Sequence, residues 1–214
     1  MKKMKYGMLM PAFLMIAVFS QAQEVSTGGG ISIRAGVNFQ NVNGEDASGD
    51  KFDNKLKTGF HAGLMFDIPV APDFYFQPGV LYSSKGTKLE NSNDTKLSLN
   101  YVEVPLNLVY KPVLGTGRLV LGFGPYVAYG IGGKVENDNL ESDVKFENEA
   151  GNAANTVYFK PFDAGANLLF GYEFSNKLSA QLNAQLGLIN YNAYDDDAKY
   201  KNTGFGVSLA YRLK

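Results

Sequence analysis

The 214-residue sequence contains no cysteine, no tryptophan and a single histidine, His61. Without cysteine the chain forms no disulfide and carries no lipid on a cysteine, so packing and hydrogen bonds must hold the fold. After residue 22, no apolar run approaches the roughly 18 residues that a membrane-spanning helix needs. If the protein lies in a membrane, a closed β-barrel is the remaining way to cross it.

Charge is also scarce and nearly balanced. Charged residues make up 19% of the chain, and the formal net charge is −1. The sequence therefore offers no basic field for a nucleic-acid partner. A hydrophobic share of 45%, together with 24 glycines and 13% aromatic residues, is typical of one β-rich domain.

The N-terminus has the three parts of a secretory signal peptide. Three lysines within the first five residues precede an apolar run from about Gly7 to Phe19, and Ser-Gln-Ala follows at residues 20–22. The alternative, an N-terminal core helix, is disfavoured because the run has no polar face. We therefore predict a signal peptide over residues 1–22 and an outer-membrane β-barrel domain over residues 23–214.

Period-two alternation of apolar and polar residues marks eight segments as β-strands. They are 30–40, 58–69, 74–86, 99–111, 118–131, the two parts of 162–191 on either side of a short Ser-Asn-Lys interruption, and 203–213. Each reaches the roughly 9 to 11 residues with which a tilted strand crosses a bilayer.

The connections between these segments alternate in length. Short ones separate the second from the third, the fourth from the fifth and the sixth from the seventh segment. The others are long and polar, at 41–57, 87–98, 132–158 and 192–202. Outer-membrane barrels have this asymmetry, with short periplasmic turns and longer extracellular loops.

The polar face of the strands carries little charge. In the seventh segment it consists of Ser179, Gln181, Asn183, Gln185 and Gly187, whereas a water-facing surface carries roughly 25–35% charged residues. We therefore expect the polar face to point into the barrel and the apolar face to point toward lipid. With the opposite orientation the chain would be a soluble periplasmic lipocalin-like binder, and this alternative stays open.

Pro78, Pro105 and Pro125 lie inside predicted strands. Each removes a hydrogen-bond donor from the ladder. We expect local bulges or bends at these prolines rather than interrupted strands.

Four stretches resemble the PorT-like outer-membrane β-barrel family of Bacteroidetes. They are FQPGVLYSSKGTK at 76–88, LNYVEVPLNLVYKP at 99–112, GFGPYVAYGIGGK at 122–134 and FDAGANLLFGYEF at 162–174. The closing GFGVSLAYRLK is similar to the assembly signal of bacterial outer-membrane barrels, although it ends on Lys214 rather than on an aromatic residue. Strand pattern and resemblance together predict an eight-stranded antiparallel up-and-down transmembrane β-barrel in the cell outer membrane.

A barrel of eight strands has an interior that side chains fill or that holds one small ligand, so we expect no conduction of solutes. Six charged residues have the inward parity: Arg34, Asp67, Glu103, Asp163, Glu173 and Arg212. Because buried charges need partners, we interpret these six as a structural plug rather than as a ligand or proton pathway. If Phe39 lies opposite Phe60, Arg34 and Asp67 form an ion pair.

His61 with Ser83 or Ser84 and Asp163 would supply the residue types of a hydrolase, but nothing in their spacing supports such a site. The sequence has no Gly-x-Ser-x-Gly elbow, zinc-ligand pair or phosphate-binding loop. The acidic residues of 136–149 and 195–197 lack the spacing of a calcium loop. We therefore expect a protein that is not an enzyme, with no catalytic residue, cofactor or metal site.

These observations predict a structural or surface-interaction protein that is surrounded by outer-membrane lipid. Its long loops, above all 41–57 and 132–158, would contact an extracellular ligand or another envelope protein. The resemblance implies an alternative, namely an accessory subunit of a protein secretion or transport machine.

Overall fold

The computed structural model describes residues 29–52, 54–89, 95–137 and 140–213. The predicted signal peptide lies outside these ranges. Within them the chain forms β-strands, and none of the described residues belongs to a helix long and apolar enough to cross a membrane.

Eight antiparallel strands close into a ring. In chain order the strands of the structure are β1 (Gly30–Glu45), β2 (Asn54–Ala71), β3 (Phe74–Leu89), β4 (Lys96–Tyr110), β5 (Val113–Leu114), β6 (Gly117–Asn137), β7 (Leu140–Phe146), β8 (Thr156–Phe159), β9 (Phe162–Glu173), β10 (Leu178–Gly187) and β11 (Lys199–Arg212). The ring runs β1-β2-β3-β4-β6-β9-β10-β11 and closes through the pairing of β11 with β1. All eight predicted strands are present, and the predicted barrel is confirmed.

The two ends of the barrel differ in their connections. At one end, which we call the short-turn end, strands are joined through 72–73, 111–116 and 174–177. At the other end, the long-loop end, the connections are 46–53, 90–95, 138–161 and 188–198. There β6 extends to pair with β7, and β8 runs parallel to β7.

The apolar face of the ring points outward. Phe123, Leu182 and Leu186 are 60%, 54% and 51% exposed, whereas Gln181 is 7% exposed. Aromatic pairs stack on this outer surface toward both ends, and one of them is Phe74–Tyr110 with ring centroids 4.5 Å apart. The predicted orientation is confirmed, and the soluble lipocalin-like alternative is wrong because its core would need the opposite face.

The prolines do not produce the expected bulges. The β3–β4 register is the same before and after the proline sites, since Pro78 lies opposite Leu106 and Leu81 lies opposite Glu103. The register shifts of neighbouring pairs lie elsewhere, one of them beside Tyr101. A proline removes a hydrogen-bond donor from the ladder but does not add a residue to the strand. A bulge does add a residue, and this would turn every later side chain to the wrong face.

The strands β5, β7 and β8 were not predicted. β7 and β8 span seven and four residues and lie within or beside the segment 132–158, whose many charged and polar residues favoured a loop. They cover the long-loop end, where an apolar core forms inside the ring. This mouth core contains Val42, Leu97, Leu99, Tyr101, Tyr126, Ala128, Val144, Phe159 and Tyr191.

Candidate functional site

The interior of the ring, the lumen, holds a balanced set of charges near the short-turn end. We call Asp67, Lys111, Glu173 and Arg212 the lower cluster. Lys111 Nζ contacts Asp67 Oδ2 and lies 3.4 Å from Glu173 Oε2. Arg212 Nη2 lies 2.5 Å from Glu173 Oε1 and 3.8 Å from Asp67 Oδ2. Two cations therefore face two carboxylates, which offsets the cost of taking these charges out of water.

A second group of charges, the upper cluster of Lys85, Glu103 and Asp163, lies toward the long-loop end. Lys85 Nζ is 2.9 Å from Glu103 Oε2 and 3.4 Å from Asp163 Oδ2, and its side chain has no exposed surface. The same Nζ lies 4.2 Å from the centroid of the Tyr126 ring. A cation over an aromatic face gains further electrostatic stabilisation when it is desolvated.

Amide groups donate further hydrogen bonds to these carboxylates, although Asp163 Oδ1 has no hydrogen-bond partner among the described residues. Asn202 Nδ2 donates to Asp163 Oδ2 at 3.0 Å, and Gln185 Nε2 donates to Glu103 Oε1 at 2.6 Å. Hydrogen bonds of this kind are what a buried ion pair needs in order to be stable.

A polar network fills the lumen between the two clusters. His61 Nδ1 lies 2.7 Å from Asn38 Oδ1, and His61 Nε2 lies 2.8 Å from Ser208 Oγ. Arg34 Nε donates to Ser208 Oγ at 3.2 Å, and Ser208 Oγ donates to Asn183 Oδ1 at 3.1 Å. We call Arg34, Asn38, His61, Asn183 and Ser208 the central network.

Ser208, His61 and Asn38 have the mutual distances of a hydrolase triad, but they lack access. The three side chains are 1%, 4% and 2% exposed. The cavity beside them has a volume of about 20 Å³, which is room for a single water molecule. A nucleophile needs space for the reacting carbonyl, so the enclosed geometry offers no place for a substrate.

The structure shows where the six predicted lumen charges lie. Arg34, Asp67, Glu103 and Asp163 are buried inside the ring, and Glu173 and Arg212 are half-buried at its short-turn end. Five of these charges belong to the two clusters, and Arg34 belongs to the central network between them.

The predicted Arg34–Asp67 ion pair is wrong. Phe60 lies opposite Val37, not Phe39, so Asp67 falls opposite Gly30 and beyond the reach of Arg34. Asp67 instead contacts Lys111. The disfavoured hydrolase set is not assembled either, because Asp163 bonds to Lys85 and Ser83 Oγ accepts from the Asn38 amide.

Sequence reasoning missed the two lysines that hold the clusters together. Lys85 follows Ser83 by two positions, and Lys111 follows Val109 by two positions, so both have the inward parity. A count of parity to the last residue of each predicted strand would have found them. No comparable signal in the sequence marks Ser208, which bonds to the most other members of the central network, because its pattern does not differ from that of any other inward-facing serine.

The mouth core closes the lumen above the upper cluster. Tyr101, Tyr126 and Tyr191 are fully buried there. Packing beneath them is equally close, since a Cβ built on Gly165 would lie 2.8 Å from Tyr126 Cε1 and 2.1 Å from the Leu186 carbonyl oxygen. Charged, polar and apolar layers thus follow one another and fill the barrel.

The chain matches the family model described as "Outer membrane protein beta-barrel domain" over residues 19–192, and it belongs to that family. It is therefore an outer-membrane β-barrel protein whose apolar outer surface lies in membrane lipid.

Solved structures share this fold. Neisserial surface protein A aligns with a TM-score of 0.51 at 11% identity, over 87% of this chain and 100% of that chain. The outer membrane enzyme PagL aligns with a TM-score of 0.50 at 13% identity, over 85% of this chain and 99% of that chain. No curated protein matches the sequence.

Proposed function

We propose that the protein is not an enzyme and that it acts through the surface of its long-loop end, as a structural or surface-interaction protein of the outer membrane. The filled lumen is the observation that carries this proposal. Two charge clusters, the central network and the mouth core occupy the barrel from one end to the other, so the lumen offers neither a channel nor a substrate site. The surface built on the long connections is what remains for a partner.

The long-loop end faces the cell exterior in this proposal, because outer-membrane barrels place their short turns in the periplasm. Parts of this surface are held in a fixed shape. Asn192 is 2% exposed and its Nδ2 donates to the carbonyl oxygen of Ala198 at 3.0 Å. Tyr194 OH accepts from the Tyr158 backbone N–H at 3.2 Å, although Tyr194 is 41% exposed. An ordered surface loses less entropy when a partner binds.

Crosslinking from both ends of the barrel tests where a partner binds. A photoreactive residue replaces Tyr194 at the long-loop end in one variant and Leu114, which is 54% exposed at the short-turn end, in the matched variant. We expect adducts from position 194 on intact cells and none from position 114. Adducts from position 114 alone would overturn the proposal.

A serine-directed fluorophosphonate tests the non-enzymatic assignment. In this proposal the six lumen charges and the Ser208–His61–Asn38 set have a structural role, so the probe should leave Ser208 unmodified in the folded protein. Covalent labelling of Ser208 that disappears in Ser208→Ala would contradict the assignment.

We propose that the protein is a PorT-like member of this family from Bacteroidetes. We also propose that residues 1–22 form its signal peptide. The sequence resemblance and the order of charged, apolar and small residues at the N-terminus support this. Mass spectrometry of the mature protein should give an N-terminus at Gln23. If deletion of the gene blocked protein secretion and the barrel co-purified with secretion components, the accessory role would replace the surface role.

A further inference from the structure

A pocket opens at the long-loop end beside the mouth core. Its volume is about 240 Å³, and its wall is almost entirely apolar. Val42 and Leu97 form its buried end, and Val135, Val157 and Phe159 line it from β6 and β8. Most of the wall belongs to strands rather than loops, so the pocket is preformed, as small-molecule sites usually are.

Three aromatic rings line the pocket and hold one another in place. Phe52 and Tyr200 stack with ring centroids 5.1 Å apart and an interplanar angle of 16°. Phe159 meets Tyr200 edge-on, with centroids 5.9 Å apart. Walls of this kind favour a flat ring, which gains both stacked and edge contacts.

The polar groups of the wall are few, and the chain itself uses most of them. Thr87 Oγ1 donates to Asn41 Oδ1 at 2.6 Å, and Asn54 Nδ2 donates to the Val42 carbonyl oxygen at 3.0 Å. Asn54 Oδ1 has no hydrogen-bond partner among the described residues, but it exposes less than 1 Å² of surface, so a donor in the pocket does not reach it. The pocket therefore offers a ligand apolar and aromatic contacts rather than a hydrogen bond.

We propose that this pocket binds a small, uncharged, largely aromatic molecule that packs against Phe52, Phe159 and Tyr200. The residues that line the pocket include no charged side chain, and a charged ligand would lose its hydration without compensation. An apolar cavity of about 150 Å³ accepts benzene, so the larger volume here fits a molecule of one or two rings. This site goes beyond the surface role proposed above, and neither depends on the other.

Indole, an uncharged aromatic molecule of two rings, is the probe that tests the site. The full chain is placed in lipid nanodiscs with labelled valine and leucine methyl groups, and indole is titrated. Saturable shifts are expected at Val42, Leu97 and Val157, while the lipid-facing Leu182 reports only the unsaturable partition of indole into lipid. 1-Methylindole, which lacks the N–H donor, should bind about as tightly as indole, because the wall offers aromatic and apolar contacts rather than a hydrogen bond.

Filling the pocket gives the decisive variant. Val157→Trp should weaken indole binding by at least about tenfold, and Lys145→Trp on the exposed part of β7 should leave it unchanged. Leu89→Trp fills the pocket from β3 and takes the place of Val157→Trp if that variant loses the heat-modifiable gel mobility of a folded barrel. Shifts confined to Leu182, or equal binding by the filled and control variants, would overturn the proposal.

Discussion

The membrane-level lumen and the mouth of the barrel are built from the same strands but filled in opposite ways. On β4, Leu97, Leu99 and Tyr101 point into the mouth core, whereas Glu103 and Asn107 point into the polar lumen. The inward face therefore changes from apolar to polar within a single strand. Below that change the ring is surrounded by an apolar band, and above it the long connections surround the ring with polar groups.

The difference shows that the surrounding solvent decides what a closed sheet encloses. In lipid, apolar side chains gain nothing by turning inward, so the interior is free to take polar groups that bond to one another, although Val109, Val120 and Leu169 also turn inward there. In water the hydrophobic effect drives apolar side chains into the ring, as in a soluble protein. We infer that the membrane boundary on β4 lies near this change, between Tyr101 and Glu103, because the exposed aromatic Tyr129 lies opposite Val102 at the same level.

The largest effect is expected from removing the cation of the upper cluster. Lys85→Met leaves Glu103 and Asp163 buried without their shared partner, which costs about 3–5 kcal/mol. Urea unfolding of the barrel in detergent micelles, followed by gel mobility, measures the loss.

The matched control removes a lysine from a surface ion pair. Lys134 contacts Glu141 on the exposed extension formed by β6 and β7. Exposed pairs contribute little because water screens them, so Lys134→Met should leave the unfolding midpoint nearly unchanged. Equal losses in the two variants would mean that the lumen charges are hydrated and not sealed.

A charge on the lipid-facing surface should have the next largest effect. Leu182→Arg places a cation on the outward apolar face, and this costs about 2–4 kcal/mol at the middle of the bilayer. The free energy of unfolding in lipid vesicles gives the value. Ala154→Arg on an exposed loop serves as the control, and a similar loss there would argue against the assigned boundary between lipid and water.

A cavity in the mouth core should loosen the long-loop end without unfolding the ring. Phe159 is 5% exposed and packs against Tyr191 and Tyr200. Phe159→Ala removes these contacts, but β8 lies outside the closed ring, so the effect should stay local. Hydrogen exchange should accelerate in β7, β8 and 188–198. The free energy of unfolding of the barrel should fall by less than about 1 kcal/mol. Faster exchange throughout β9 and β10 would show that the two regions unfold together.

The sequence was sufficient to predict the ring but not the way its interior is arranged. Alternation in strands such as 162–173, with Leu169 as an exception, reports both the strand and its orientation, because a one-residue slip would expose the wrong face to lipid. The Arg34–Asp67 error arose because alternation determines parity and not the register between strands, and a shift of two residues preserves every facing direction. Likewise the mouth core depends on contacts between segments as distant as Val42 and Tyr191, which no local pattern encodes.

The smallest predicted effect concerns Tyr191 of the mouth core and sharpens the contrast with the hydrogen-bonded lumen. Its hydroxyl is buried with no hydrogen-bond partner among the described residues. Burial, together with the nearby Tyr101 and Asp163, raises the pKa of this phenol well above its ordinary value. Tyr191→Phe removes an unsatisfied group, so at pH 8 the variant should be as stable as the natural protein or more stable by up to about 1 kcal/mol.

The effect of Tyr191→Phe on stability depends on pH. Above a pH of about 10 the phenol ionises in the unfolded chain, whereas the folded protein keeps Tyr191 protonated. Ionisation then stabilises the unfolded state, so the contribution of Tyr191 to stability is present below that pH and declines as the pH rises. The midpoint of urea unfolding should fall less between pH 8 and pH 11 in Tyr191→Phe than in the natural protein. Identical declines would mean that water reaches this hydroxyl, and that the mouth core is open where the lumen beneath it is closed.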